Sequence, residues 1–132
     1  MKETLLEIPS HPKYLSVVRS VIKKLCEIFN VEDSITEDLK LAVDEACTNI
    51  IRHAYRDDFT RKISIRLRVS RRRFQAIIED DGEQTPEQAL RGRDLDDVRP
   101  GGLGMHFIKK TFDEVRYERH KDINRLTLSR EL

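Results

Sequence analysis

Leu41-Ala42-Val43-Asp44-Glu45-Ala46-Cys47-Thr48-Asn49-Ile50-Ile51-Arg52-His53-Ala54-Tyr55 is the stretch on which the reading of this chain turns. Leu39, Val43, Ala46, Ile50 and Ala54 fall on one stripe at 3.6 residues per turn, which marks an amphipathic helix. Ser34-Ile35-Thr36-Glu37 has the form of a capping box and predicts where that helix opens. Glu45, Asn49 and His53 are spaced i, i+4, i+8. On an ideal helix they drift only ~40° per step, so they share one polar stripe beside the apolar one. Such a stripe sits at the edge of a core, where a cleft can form. A carboxylate, an amide oxygen and an imidazole in line can hold a water, a Mg²⁺ or a phosphate. The boundary of an ordinary amphipathic helix presents the same residues.

Outward from this helix, the pattern predicts the remaining elements. Upstream, Thr4 to Ile8 reads as a strand. Ser10 and Pro12 mark a helix start, and Val17, Val18, Val21, Ile22, Leu25 and Ile28 follow at helical spacing to a stop at Asn30. Downstream, Ile63, Ile65, Leu67 and Val69 alternate with Ser64, Arg66 and Arg68, a half-buried strand. Phe74, Ala76 and Ile78 form the next strand, which ends in Glu79-Asp80-Asp81-Gly82. Residues 83 to about 101 lack an apolar period and read as a long loop. A helix with Met105, Phe107, Ile108 and Phe112 follows. Two strands, Val115 to Arg119 and Arg125 to Ser129, close the chain around His120-Lys121-Asp122.

The order is β, α, α, β, β, loop, α, β, β. Strands arriving in adjacent hairpins predict a mixed, mainly antiparallel sheet with helices on one face, an α+β two-layer sandwich. The 132 residues suit a single domain over positions 1–132. A net charge of +1 gives no reason to expect a nucleic acid or an anionic membrane as partner. Arg71-Arg72-Arg73 reads as a solvated hairpin tip, because no aromatic platform accompanies it. Cys26 and Cys47 form no metal-ligand pattern and read as small buried hydrophobes. No leader and no apolar run near ~18 residues is found, so a cytoplasmic location is expected.

Two other segments carry possible chemistry. Asp80-Asp81-Gly82 at a strand end can be a turn, or can point a carboxylate at a ligand amine with Gly82 allowing close approach. Pro100-Gly101-Gly102-Leu103-Gly104 opens a helix, and its backbone N–H groups suit an anion such as a phosphate. It is not a Walker A loop, since no Gly-Lys-Ser/Thr follows, and its glycine spacing is not that of a dinucleotide fingerprint.

In combination these motifs resemble the GHKL ATPase superfamily, which includes histidine kinase catalytic domains and gyrase-type ATPases. Leu41 to Tyr55 looks like the N box of one branch, the anti-sigma factor serine kinases of the RsbW and SpoIIAB type. Pro100 to Lys110 looks like that branch's G2 box, and the resemblance runs nearly end to end. It implies the Bergerat-type ATP-binding fold. It also implies that Asn49 binds Mg²⁺ and bridges it to the phosphates, that Glu45 is the general base, and that His53 lies near the phosphates or lid. By the same resemblance Asp80 reads the adenine amino group and Gly82 belongs to the Asp-x-Gly box. Gly101, Gly102, Leu103 and Gly104 line the phosphates. Pro86 ends the G1 box and residues 87–100 form a short ATP lid. Gln84 departs from the pattern, standing where the second G1 glycine usually lies, which bears on nucleotide affinity and lid motion.

The activity so implied is transfer of a phosphoryl group from Mg-ATP to a serine on a STAS-domain anti-anti-sigma factor by a protein, usually a homodimer, that also sequesters a sigma factor. The alternative is a nucleotide-gated partner-binding switch of the same fold without kinase activity. A detached histidine kinase catalytic domain would want a phosphoacceptor helix upstream, and His11 beside Pro12 is poorly placed for that.

Overall fold

Strict alternation in sequence becomes a one-sided sheet in the computed structural model, which describes residues 2–84 and 103–132. The chain begins with strand β1 (Glu3–Pro9), a 3₁₀ turn (Pro12–Tyr14) and helix α1 (Leu15–Ile28). Helix α2 (Asp33–Asn49) runs into a π-helical turn (Ile50–Ala54). Strands β2 (Lys62–Val69) and β3 (Arg73–Asp80) follow. Helix α3 (Leu103–Thr111) and strands β4 (Glu114–His120) and β5 (Ile123–Glu131) complete the described elements. This is the predicted order of elements. The strands lie in the order β1-β2-β3-β5-β4, and each of the four pairings is antiparallel. The sequence pattern allowed a mixed sheet. Among the described residues none of it is parallel, so the sheet needs no crossover between neighbouring parallel strands.

One face of the sheet carries Ile63, Ile65, Leu67, Phe74, Ala76, Ile78, Leu126 and Leu128, all buried under the helices. Val18, Ile22 and Cys26 of α1 and Leu39, Val43, Ala46 and Cys47 of α2 meet them in one core. Removing this apolar surface from water is the main favourable term of folding. Both cysteines are free and buried, as expected. Burial pushes the Cys47 thiol up to about 12, helped by the charge of Asp44, so it is inert at neutral pH. The opposite face is polar and laced with cross-strand pairs, including Arg68 to Glu3 at 2.7 Å and Arg125 to Glu79 at 3.0 Å. Partly exposed pairs of this kind add little stability each.

Local signals were met unevenly. Asn30 does stop α1: its φ of 56° is left-handed, and the N–H of Val31 behind it donates to the Cys26 carbonyl at 2.9 Å. The capping box does not form. Helix α2 starts at Asp33, directly after Glu32, whose backbone carbonyl takes the N–H and hydroxyl of Thr36, and Ser34 donates instead to the Glu32 side chain. Ser10 is not a cap either. It is fully buried, donating to the Asp58 carbonyl at 2.6 Å and accepting the Arg61 N–H at 3.1 Å. The cap of the 3₁₀ turn is His11, whose Nδ1 accepts the Lys13 N–H.

Candidate functional site

Helix α2 is where the three motifs meet. Glu45 and Asn49 lie half-buried, one turn apart, on its last turns. The next turn is π-helical, with the Tyr55 N–H donating to Ile50 O at 2.9 Å, an i to i+5 bond. A π turn rotates less per residue than an α turn, so four residues no longer complete a revolution. His53 sits in this turn with its side chain exposed, whereas Glu45 and Asn49 are half-buried. Single π turns inside helices are frequent at functional sites.

The end of β3 docks on this helix end. A Cβ placed on Gly82 would come within 2.5 Å of Ala54 O and 2.7 Å of Ala54 C. Glu83 seals the contact by donating its N–H to Ala54 O at 2.9 Å. The close approach that Gly82 permits in this structure is thus to its own helix. The helix end itself is left-handed at two non-glycine residues, Arg56 (φ 48°) and Asp57 (φ 60°). Such residues cost of order 1–2 kcal/mol each and persist only where the surroundings enforce them. Here Asp57 N–H caps Ile51 O at 2.8 Å and Arg56 pairs with Glu83 at 2.9 Å.

Helix α3 docks at the other end of the α2 stripe. A Cβ on Gly104 would lie 2.5 Å from Glu45 Oε2. The Glu45 carboxylate therefore rests on the first turn of α3, where backbone N–H groups favour negative charge. Gly101, Gly102, Pro86, the expected lid at 87–100 and the side chain of Leu103 lie outside the described residues.

Asp80 is buried at 5% exposure at the end of β3. Its Oδ1 accepts the Gly82 N–H at 2.9 Å and the Asn124 side-chain amide at 2.8 Å. Burial raises its pKa above the usual carboxylate range, against the two hydrogen bonds, which lower it. Asn124 on β5 stands opposite Asp80 in the strand register and also contacts Tyr117 and Arg119 of β4. Gln84 lies beside the Tyr117 hydroxyl of the same cluster.

A second cluster braces the Asp-x-Gly segment from below. The Tyr55 hydroxyl contacts the Lys62 carbonyl and lies 3.0 Å from Asp81 Oδ1, and it accepts the Asp81 N–H at 3.2 Å. Arg61 donates to Asp81 Oδ1 at 2.7 Å and stacks 4.9 Å over the Tyr55 ring. Burial drives the Tyr55 phenol well above its ordinary value, so it stays protonated.

Sequence reasoning missed Asn124, Tyr117, Arg119 and the partners of Tyr55. Nothing in local spacing marks them, because their contacts span 5 to 44 residues of chain. Among the described residues no group of three His, Cys, Asp or Glu side chains could hold a metal. Nor is any described helix long and apolar enough to cross a membrane.

A family model for the histidine kinase-like ATPase domain matches residues 8–130. The chain belongs to that family. Serine-protein kinase RsbW of Bacillus subtilis is 31% identical over 126 residues, covering 89% of this chain and 79% of that one. The Bacillus velezensis RsbW is 30% identical with the same coverage. Among solved structures, the fold matches a chain of the SiaB–SiaC complex from Pseudomonas aeruginosa with a TM-score of 0.74 at 12% identity, covering 96% of this chain and 88% of that one. It also matches the RsbU and RsbW domains of a Mycobacterium tuberculosis protein, TM-score 0.71 at 15% identity, covering 99% of this chain and a third (33%) of that longer one. The histidine kinase-like ATPase fold thus accounts for the convergence of the N-box helix, the Asp-x-Gly segment and the glycine-led helix.

Proposed function

We propose that this chain is a protein-serine kinase and anti-sigma factor: it transfers the γ-phosphoryl group of ATP to a serine of a STAS-domain antagonist and sequesters a sigma factor. The observation that carries the proposal is the arrangement on α2. Glu45 is packed against Gly104 at the start of α3, and Asn49 lies one turn further on. The buried Asp80 is held by Gly82, whose segment is docked on the end of the same helix. The relatives named as serine-protein kinases support the choice of acceptor class. The solved neighbour in a complex shares the fold.

In this reading Asp80 accepts the adenine amino group, and its burial keeps water from competing for that contact. Gly82 keeps the Asp-x-Gly segment close on the helix. The N–H groups from Gly101 to Gly104, with Leu103 among them, take the phosphate oxygens at the positive end of α3. Asn49 holds Mg²⁺ through its amide oxygen, and His53 serves the lid side of the phosphates. The metal, when bound, neutralises charge on the transferred group. Glu45 takes the proton of the acceptor serine as attack begins, from a position held before the acceptor arrives. Residues 87–100 are the ATP lid in this reading. Residues 1–132 form one domain, the protein acts in the cytoplasm as a homodimer, and nucleotide state biases which partner is held through a difference in affinity.

The test is transfer from labelled Mg-ATP to proteins of a host-cell extract, with Asn49→Ala as control. The expected result is one small protein carrying acid-stable phosphate, absent with the variant. ATP binding without any acid-stable label would replace the kinase reading with that of a nucleotide-gated switch.

A further inference from the structure

Asn124 is 1% exposed, and all of its side-chain hydrogen-bonding capacity is taken up by protein. Its Oδ1 accepts from Arg119 Nη1 at 2.6 Å and from the Tyr117 hydroxyl at 2.6 Å. Its Nδ2 faces Asp80 Oδ1 at 2.8 Å and the carbonyls of Gly82 and Glu83 at 3.2 and 3.3 Å. A guanidinium carries donors only, and carbonyls accept only. A flipped amide would set NH₂ against a guanidinium and an oxygen against three oxygens. The orientation of Asn124 is therefore locked by partners on β4 and on the segment after β3.

The lock has a consequence for Asp80. Its Oδ1 receives two donors, Asn124 Nδ2 and the Gly82 N–H. An oxygen that accepts two N–H groups does not carry the carboxyl proton, and both bonds favour the ionised form. We propose that Asn124 is a specificity-determining residue, which makes the site select a 6-amino over a 6-oxo purine by holding the Asp80 carboxyl as an acceptor. This rests on the nucleotide-site reading above.

The other groups facing Asp80 act in both directions. Burial and the charge of Asp81 push the carboxyl toward protonation, while Arg119 opposes them. The Tyr117 and Tyr55 phenols are both raised by burial and stay neutral. The Asn124 bond opposes burial more than any other contact does. Without it the carboxyl gains a proton more readily and can donate to a 6-oxo group. A base with a 6-oxo group then loses its disadvantage.

The experiment is calorimetric titration of the full chain with ADP and with inosine diphosphate in Mg²⁺. The native protein should prefer ADP by about 100-fold or more, since a site built around a donor rejects a base that lacks it. In Asn124→Asp the introduced carboxylate shares a proton with Asp80, and the preference should fall at least tenfold, through weaker ADP and stronger inosine diphosphate binding. Arg119→Met, at an exposed position, loosens the same lock without burying a new charge and should reduce the preference about threefold, the weight of one hydrogen bond. Melting curves confirm that each variant is folded, and Arg119→Met decides alone if Asn124→Asp is not. An unchanged preference, with both nucleotides weakened alike, would make Asn124 a structural residue and overturn the proposal. A native protein that binds both nucleotides equally overturns the Asp80 reading, and the proposal falls with it. Binding of neither sinks the nucleotide reading as a whole.

Discussion

Gly82 and Gly104 are both places where a Cβ has no room, yet the obstacle differs. At Gly82 it is backbone, with Ala54 O at 2.5 Å and Ala54 C at 2.7 Å. At Gly104 it is the tip of one flexible side chain, Glu45 Oε2, at 2.5 Å. Backbone at a capped, buried helix end cannot step aside, whereas a carboxylate can rotate. The proposed base end of the site therefore ties nucleotide recognition to folding. The proposed phosphate end keeps its chemistry separable from stability.

The largest expected effect is at the phosphate end. Glu45→Ala should lower phosphate transfer by about 10²–10⁴-fold, the usual weight of a general base, while Mg-ADP affinity is kept. Gly104→Ala should displace the same carboxylate and cost transfer about 10²-fold, as a misplacement of roughly an ångström does, with stability nearly unchanged. In a Glu45→Ala background the Gly104→Ala change should add no further loss. A full additional loss in the double variant would mean that Gly104 acts without Glu45, and would break the contrast between the two glycines.

Next in size is Gly82→Ala. Forcing a methyl against the Ala54 peptide should cost about 1–3 kcal/mol in urea denaturation. A stability equal to that of Gly104→Ala would show that the helix end yields after all.

The smallest effect concerns pH. The folded pKa of Asp80 is raised above its unfolded value, with burial as the leading cause. Its contribution to stability is therefore present below the unfolded pKa, about 4, and is lost as pH rises through the folded value. Asp80→Asn removes this dependence. The variant's stability advantage over the native protein should grow as pH rises through the Asp80 pKa and level off above it, in urea midpoints measured across that range. An advantage that shrinks over the same range would contradict the buried-carboxylate account.

The legible part of the fold was the part governed by short periods. Alternation in Ile63 to Val69 and the 3.6-residue stripe from Leu39 onward became β2 and α2, because burying one face is what each period accomplishes. Glu45 and Asn49 share a half-buried face of α2 for the same reason. The π turn that follows Asn49 was not legible, because no residue type announces it. Ser34 and Ser10 misled because a small hydroxyl looks alike at a cap and in a tertiary bridge. The Glu32 side chain and the loop at Asp58 to Arg61 claimed them instead.

The sequence by itself determined the order of elements, the buried faces and the residue types available for chemistry, since these follow from local periodicity and hydrophobic burial. Tertiary structure alone decided that Asn124 would orient Asp80 across 44 residues, that Gly104 would make room for Glu45, and that Arg61 and Tyr55 would brace Asp81. Those pairings depend on which strand lies beside which and on how a helix end is seated. Hydrogen bonds are directional and short-ranged, so their partners are chosen only once the chain has packed.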